Sequence, residues 1–173
     1  FLEKQTPNTY IQDLDLIFIY SNVIDKTGDN KDTEENVFKA TEDEFEHILK
    51  IIDKIRNGNG SNILITSDHG YLFQNEQLDE SDFTDFKVQG DIITDTRRFV
   101  IGETLQLGIA VKTWNSEDVG LKAGKQVQIA KAMNRIRKQG SGSRFVHGGS
   151  MLQEIVVPVL HVNIKKTADV SQV

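Results

Sequence analysis

Asn62-Ile63-Leu64-Ile65-Thr66-Ser67-Asp68-His69-Gly70 is an apolar run of strand length that ends in a carboxylate, an imidazole and a glycine. A short buried strand of this kind delivers a hard oxygen donor and a borderline nitrogen donor where the backbone turns, a good arrangement for holding a divalent metal. Upstream, Leu14-Asp15-Leu16-Ile17-Phe18-Ile19-Tyr20 is dense in β-formers and predicts another buried strand. Between the two, Asp32 and Glu35 are spaced as a capping box, and Val37, Phe38, Phe45, Ile48, Leu49, Ile52 and Ile55 recur at helical spacing. A helix with one buried face is therefore expected from Asp32 to about Ile55, with Asn57-Gly58-Asn59-Gly60 as its stop. Strand, helix and strand of these lengths make a βαβ unit with a right-handed crossover. The fold class is α/β, with both strands ending at one edge of a parallel sheet, where open α/β sheets bind ligands.

Outward from this unit the pattern loosens. Residues 74–95 hold Glu76, Asp79, Glu80, Asp82 and Asp85 against Lys87 and read as a surface insertion. Arg97 to Ile101 and Leu107 to Val111 predict two short strands, and Val127 to Ile136 fits helix or strand. Lys138 to Ser143 is a flexible loop, and Ile155 to Val162 is a strand in which Pro158 suits an edge or a start.

The 173 residues and 19.5 kDa correspond to one domain, and a first residue of Phe1 suggests a piece of something longer. Hydrophobic residues at 38% and charged ones at 27% are ordinary for a soluble globular protein. No apolar run approaches the roughly 18 residues of a membrane span, so no membrane partner is expected. Zero cysteines excludes disulfides and thiolate metal sites, leaves Asp, Glu and His as strong ligands, and fits a reducing cytoplasm. A net charge of −6 argues against a broadly basic nucleic-acid surface.

Asp68 and His69 are the leading metal candidates; the competing reading makes Asp68 a helix N-cap. Asp25 and Asp29, four residues apart on a glycine-containing loop, are carboxylates of metal-binding type that would also serve as turn formers. His147 sits beside Gly148 and Gly149, where small neighbours permit close backbone approach; a turn histidine bonded to a backbone group is the alternative. His47 and His161 read as surface or core residues. Two metals roughly 3.5–4 Å apart would clamp a phosphoryl group and activate an oxygen nucleophile. Arg97, Arg98, Arg135, Arg137 and Arg144 could add charge for phosphate oxygens, Arg144 foremost because it lies three residues before His147.

At this point the residues resemble a known pattern. Tyr20 to Asp29 (YSNVIDKTGD), Thr66 to Gly70 (TSDHG) and Gly140 to Leu160 (GSGSRFVHGGSMLQEIVVPVL) look like the PglZ domain of BREX bacteriophage-defence systems, a branch of the alkaline phosphatase superfamily. The resemblance implies a parallel-rich α/β sheet flanked by helices, with two divalent metals at its C-terminal edge, zinc first and manganese or magnesium as alternatives. It places Asp68 and His69 on one metal, and Asp25 and His147 on the other. Asp29 falls where many members carry a histidine, which changes the site charge and the metal preference. Ser21 likewise stands where relatives often have histidine. The superfamily's nucleophilic Ser or Thr has no match in Phe1 to Asp13, so the chain reads as a C-terminal portion without a catalytic nucleophile, inactive alone.

The implied function is a metal-dependent phosphohydrolase, acting on a phosphomonoester or a nucleic-acid diester, with other BREX proteins as partners. A non-catalytic module docking defence proteins is the rival from another class, favoured by the acidic stretch from Glu76 to Asp85. A phosphate-transferring mutase is the third.

Overall fold

A computed structural model of the chain describes residues 14–84, 87–139 and 142–165. Its elements in chain order are α1 (Val23–Gly28), a 3-10 turn (Glu34–Asn36), α2 (Val37–Asn57), β1 (Asn62–Thr66), β2 (Leu72–Phe73), a 3-10 turn (Glu80–Asp82), β3 (Phe83–Thr84), β4 (Gly90–Asp95), β5 (Phe99–Leu105), β6 (Val111–Asn115), a 3-10 turn (Ser116–Val119), β7 (Gln126–Ala130), β8 (Arg135–Ile136), β9 (Phe145–Val146), α3 (Leu152–Ile155) and β10 (Val159–Asn163). The chain is mixed α/β and divides into two units. One takes described residues 14–25, 38–67 and 158–165; the other takes the rest of them, 26–37, 68–84, 87–139 and 142–157.

The first unit contains nearly all of α2 and an antiparallel ladder of β1 with β10, in register from Asn62↔Asn163 to Thr66↔Val159. Hydrogen bonds close both ends: Thr66 Oγ1 donates to Pro158 O at 2.9 Å, and Ile164 N to Ser61 O at 2.7 Å. Pro158 thus stands just before a strand, where its missing N–H costs no ladder bond. The expected stop of α2 is present: Gly58 N donates to Lys54 O, Gly60 N to Ile55 O, and Asn59 takes the left-handed conformation at φ 69°.

Several expectations are corrected here. Leu14 to Tyr20 is not a buried strand: among the described residues it pairs with no other strand, and Phe18 and Tyr20 are 71% and 88% exposed. β-propensity is realised only against a neighbouring strand, and none among the described residues offers itself to this run. The described residues accordingly form no βαβ unit, and β1 takes an antiparallel partner instead. The parallel-rich sheet is not what the described residues form, since β3 with β8 is their one parallel pair. No Asp32–Glu35 capping box forms. Asp32 N instead bonds Asn30 Oδ1, and Glu34 rather than Glu35 turns inward. On α2 the stripe Phe38, Phe45 and Leu49 is exposed, not buried.

The second unit is built on a four-stranded antiparallel sheet ordered β4-β5-β7-β6. Val100, Leu105, Val111, Ala130 and Ile136 form its core, with Val88 packed against them. Burial of side chains of the Val, Leu or Ile class contributes roughly 1.5–3 kcal/mol each. The stretch read as a surface insertion supplies β3 and the edge strand β4, whose pairing with β5 shifts register near Ile92. Val127 to Ile136 resolves into β7 and β8. Of Leu107 to Val111 only Val111 enters a strand, while Leu107 and Ile109 are exposed. Ile155 to Val162 splits between α3 and β10.

Candidate metal centre

Two residue pairs of β-ladder decide where the histidines go. β2 and β9 run antiparallel with Leu72 opposite Val146 and Phe73 opposite Phe145. Continuing that register past the ladder sets Tyr71 opposite His147, with His69 two residues further on. A diagonal offset of two residues is within reach of aromatic side chains. The rings meet: His69 and His147 stack with centroids 4.3 Å apart and 2° between their planes, and ring nitrogens of the two lie within 4.8 Å.

Asp29 reaches the same place through a buried carboxylate that the sequence reading passed over. Glu34 Oε2 accepts the backbone N–H groups of Ser143 at 2.8 Å and Arg144 at 2.9 Å, directly before β9. The turn leading into Glu34 is tied down by Thr33 Oγ1, which donates to Thr27 O at 2.7 Å. Gly28 lies against the Phe145 ring, where an added Cβ would come within 2.3 Å of it. So anchored, Asp29 Oδ1 stands 3.4 Å from His147 Nε2. That is long for an N–H···O hydrogen bond. It equals the edge of a tetrahedron about a cation whose ligands sit about 2.0–2.1 Å away, which comes to about 3.4 Å.

Asp68 and His69 make a second carboxylate–imidazole pair. Asp68 Oδ1 lies 3.9 Å from His69 Nε2 and accepts the His69 backbone N–H at 3.0 Å. The N-cap alternative for Asp68 has no helix to cap, because the chain continues into β2. His69 Nδ1 is 3.0 Å from Gly70 O. A carbonyl only accepts, so Nδ1 carries the proton and Nε2 presents a lone pair, the usual preparation of a histidine for metal. The donor set of this unit, two carboxylates and two imidazoles, fits divalent zinc or manganese. Asp25 belongs to the other unit, half-buried on α1.

The arginines have other occupations. Arg144 donates through Nε to Gln74 O at 3.1 Å and through Nη2 to Asn75 O, and its guanidinium lies 5.5 Å over the Phe73 ring. Arg97 donates to Gly142 O and Lys138 O, and Arg135 to Ser143 O and Met133 O. Arg137 pairs with Glu80 above the Phe83 ring. Arg98 is wholly buried against Glu154, with Nε to Oε1 at 2.7 Å and Nη2 to Oε2 at 2.8 Å. Burial alone would raise the Glu154 carboxyl; the hydrogen bonds and charge of Arg98, with the N–H groups of Met151 and Gly149, outweigh it and hold the group below its ordinary range. Glu34 and Glu154 carry no sequence pattern that marks them as inward-facing. Glu154 does lie within the Leu-Gln-Glu stretch of the family resemblance. Of the two histidines expected to be structural, His47 lies 3.3 Å from Glu44 on α2, and His161 sits in β10.

Comparison with known proteins agrees with the resemblance. The profile described as the BREX system PglZ alkaline phosphatase-like domain matches residues 2–162. An alkaline phosphatase-like protein PglZ from Bacillus cereus is 39% identical over 148 residues, covering 83% of this chain and 17% of that protein. An alkaline phosphatase-like protein BrxZ from Escherichia coli is 34% identical over 171 residues, covering 96% of this chain and 20% of that protein. The chain therefore spans about a fifth of the length of these curated relatives. No solved structure matches it. No helix among the described residues is long and apolar enough to cross a membrane. A family match over residues 2–162, a span that includes the Asp-His-Gly and His-Gly-Gly stretches carrying the stacked histidines, makes this chain a member of the PglZ family.

Proposed function

We propose that this chain carries part of a two-metal phosphohydrolase centre working in BREX-type bacteriophage defence, with Asp68 and His69 toward one divalent cation and Asp29 and His147 toward the other. Asp25 joins the ligand set on the family resemblance alone. The observation that carries the reading is the pair of carboxylate–imidazole contacts joined by one face-to-face histidine stack. Two such cations, zinc first, would polarise a phosphoester and lower the pKa of an attacking oxygen. The residues themselves orient: Gly70 O holds the His69 tautomer, and Glu34 holds Asp29 beside His147. Phe1 to Asp13 does not resemble the superfamily's nucleophile segment, and on that reading the chain alone is expected to be inactive. Phosphomonoesters and nucleic-acid diesters are both candidate substrates, and other BREX proteins the candidate partners.

Zinc titration by calorimetry tests the reading on this chain and on an Asp68→Ala/His69→Ala variant. Measurable heat, of which the variant loses one zinc equivalent, supports it; equal negligible heats remove it. That second result would favour the docking-module reading, which draws on the exposed apolar side chains of the first unit, among them Phe18, Tyr20, Phe45 and Leu64.

A further inference from the structure

We propose that Glu154, held by Arg98, is the positioning residue of the two-histidine site. It fixes both histidine-bearing turns to a single buried point. The proposal rests on the reading that His69 and His147 ligate cations, and it explains how two turns beyond a two-residue ladder keep a fixed relation.

The β2–β9 ladder is too short to hold anything past its own ends. Glu154 does what the ladder cannot. Its Oε1 accepts the Gly149 N–H at 2.9 Å, two residues beyond His147. Its main-chain carbonyl accepts the Gly70 N–H at 2.9 Å, one residue beyond His69. Its Oε2 accepts the Met151 N–H at 3.1 Å, which locks the start of α3. Arg98 neutralises the carboxylate in a bidentate pair and donates onward to Ala132 O and Asn134 O. All three guanidinium nitrogens and both carboxylate oxygens are thus engaged, which ties this buried ion pair to several points of the backbone at once. Gly149 is fitted to this point, since a Cβ there would come within 2.4 Å of Glu154 Oε2 and 2.5 Å of Arg98 Nη2. Arg98, wholly buried, is therefore a support for the site and not a contact for a phosphate.

The test uses the 173-residue chain labelled in its histidines. Stacked rings displace each other's imidazole proton resonances, so the stack is readable without any metal. Glu154→Gln is expected to collapse that displacement and to speed amide exchange at Gly149 and Gly70 at least tenfold, while the amides of β6 stay protected. Zinc affinity measured alongside is expected to fall roughly tenfold, the lower end of outer-sphere effects. Ring shifts and zinc affinity that stay at wild-type values overturn the proposal, whatever happens to stability. Should Glu154→Gln fail to fold, Gly149→Ala is read in the same way and decided by the same two outcomes. If the unaltered chain binds no zinc, the metal reading falls, and the ring shifts alone decide whether Glu154 positions the turns.

Discussion

The imidazoles of His69 and His147 lie parallel, 2° apart in plane and 4.3 Å apart between centroids. The geometry bears directly on how cations would be shared. An imidazole nitrogen directs its lone pair within the ring plane, and stacked parallel planes do not meet. One cation cannot lie in both planes, whereas two cations roughly 3.5–4 Å apart, the spacing of bimetallic phosphoryl-transfer sites, match the separation of the rings.

The first prediction is therefore one of stoichiometry. His69→Ala and Asp68→Ala are expected to remove one class of zinc site, and His147→Ala and Asp29→Ala the other. Each loss should exceed the roughly 10–100-fold cost of an outer-sphere change. Calorimetry on the four variants reads the outcome as one zinc equivalent retained in each. A single substitution that abolishes all binding would point to one shared ion.

The second concerns Glu34. Its buried carboxylate accepts the backbone N–H groups of Ser143 and Arg144 and, at a longer 3.4 Å, that of Phe145, and Glu34→Ala removes this shared acceptor. Bonds to charged groups contribute about 1.5–3 kcal/mol each, partly shared here, so a loss of about 3 kcal/mol is expected in urea unfolding. Because Glu34 also sets Asp29 beside His147, zinc binding at that pair should weaken even under conditions where the variant is fully folded.

How much of this was legible beforehand follows from where each side chain finds its partner. The run from Ile63 to Thr66, the stop at Gly58 to Gly60 and the donors at Asp68, His69 and His147 are local signals, and the structure reproduces the stop and the strand, though not the strand's burial, since Leu64 is exposed, while bringing the two imidazoles together. Leu14 to Tyr20 has equally strong β-propensity, yet a strand is defined by its neighbour, and the run itself cannot say whether one is supplied. Arg98 shows the same limit from the other side. Its sequence context is that of a surface cation, and partners far along the chain turn it inward, Glu154 56 residues on and the carbonyls of Ala132 and Asn134. Asp29, Glu34, Arg98 and Glu154 act through contacts far away along the chain, which no periodicity records.

The third prediction is acid lability. The Glu154 carboxyl is held below its ordinary range in the folded chain. Its contribution to stability is then fully present above the unfolded glutamate value, about 4.3, and is lost as pH falls through the depressed folded value. Unfolding free energy should drop with acid below about pH 4.3, and Glu154→Gln should flatten that part of the profile. Breaking the buried pair should also cost the variant about 3–5 kcal/mol at neutral pH, since it leaves Arg98 charged and uncompensated. Urea midpoints measured from pH 3 to 7, on the order of a dozen samples per protein, are enough to see a common slope or its loss.

The fourth concerns Gly70, where the constraint is backbone against backbone. An added Cβ would stand 2.1 Å from Gln153 O and 3.8 Å from Glu154 Cα. A side chain in the way can rotate aside, but a carbonyl in the first turn of α3 moves only if the helix moves with it. Gly70→Ala should therefore cost about 1–3 kcal/mol, the usual range for overpacking. It should also lengthen the Gly70 N–H to Glu154 O bond, and with it the spacing of the two histidines. Amide exchange at Gly70 separates this from a general loss of stability: acceleration there, with β6 and α2 still protected, is the expected result. Uniform acceleration across the chain would mean that the clash unsettles the fold as a whole and not the contact between Gly70 and Glu154.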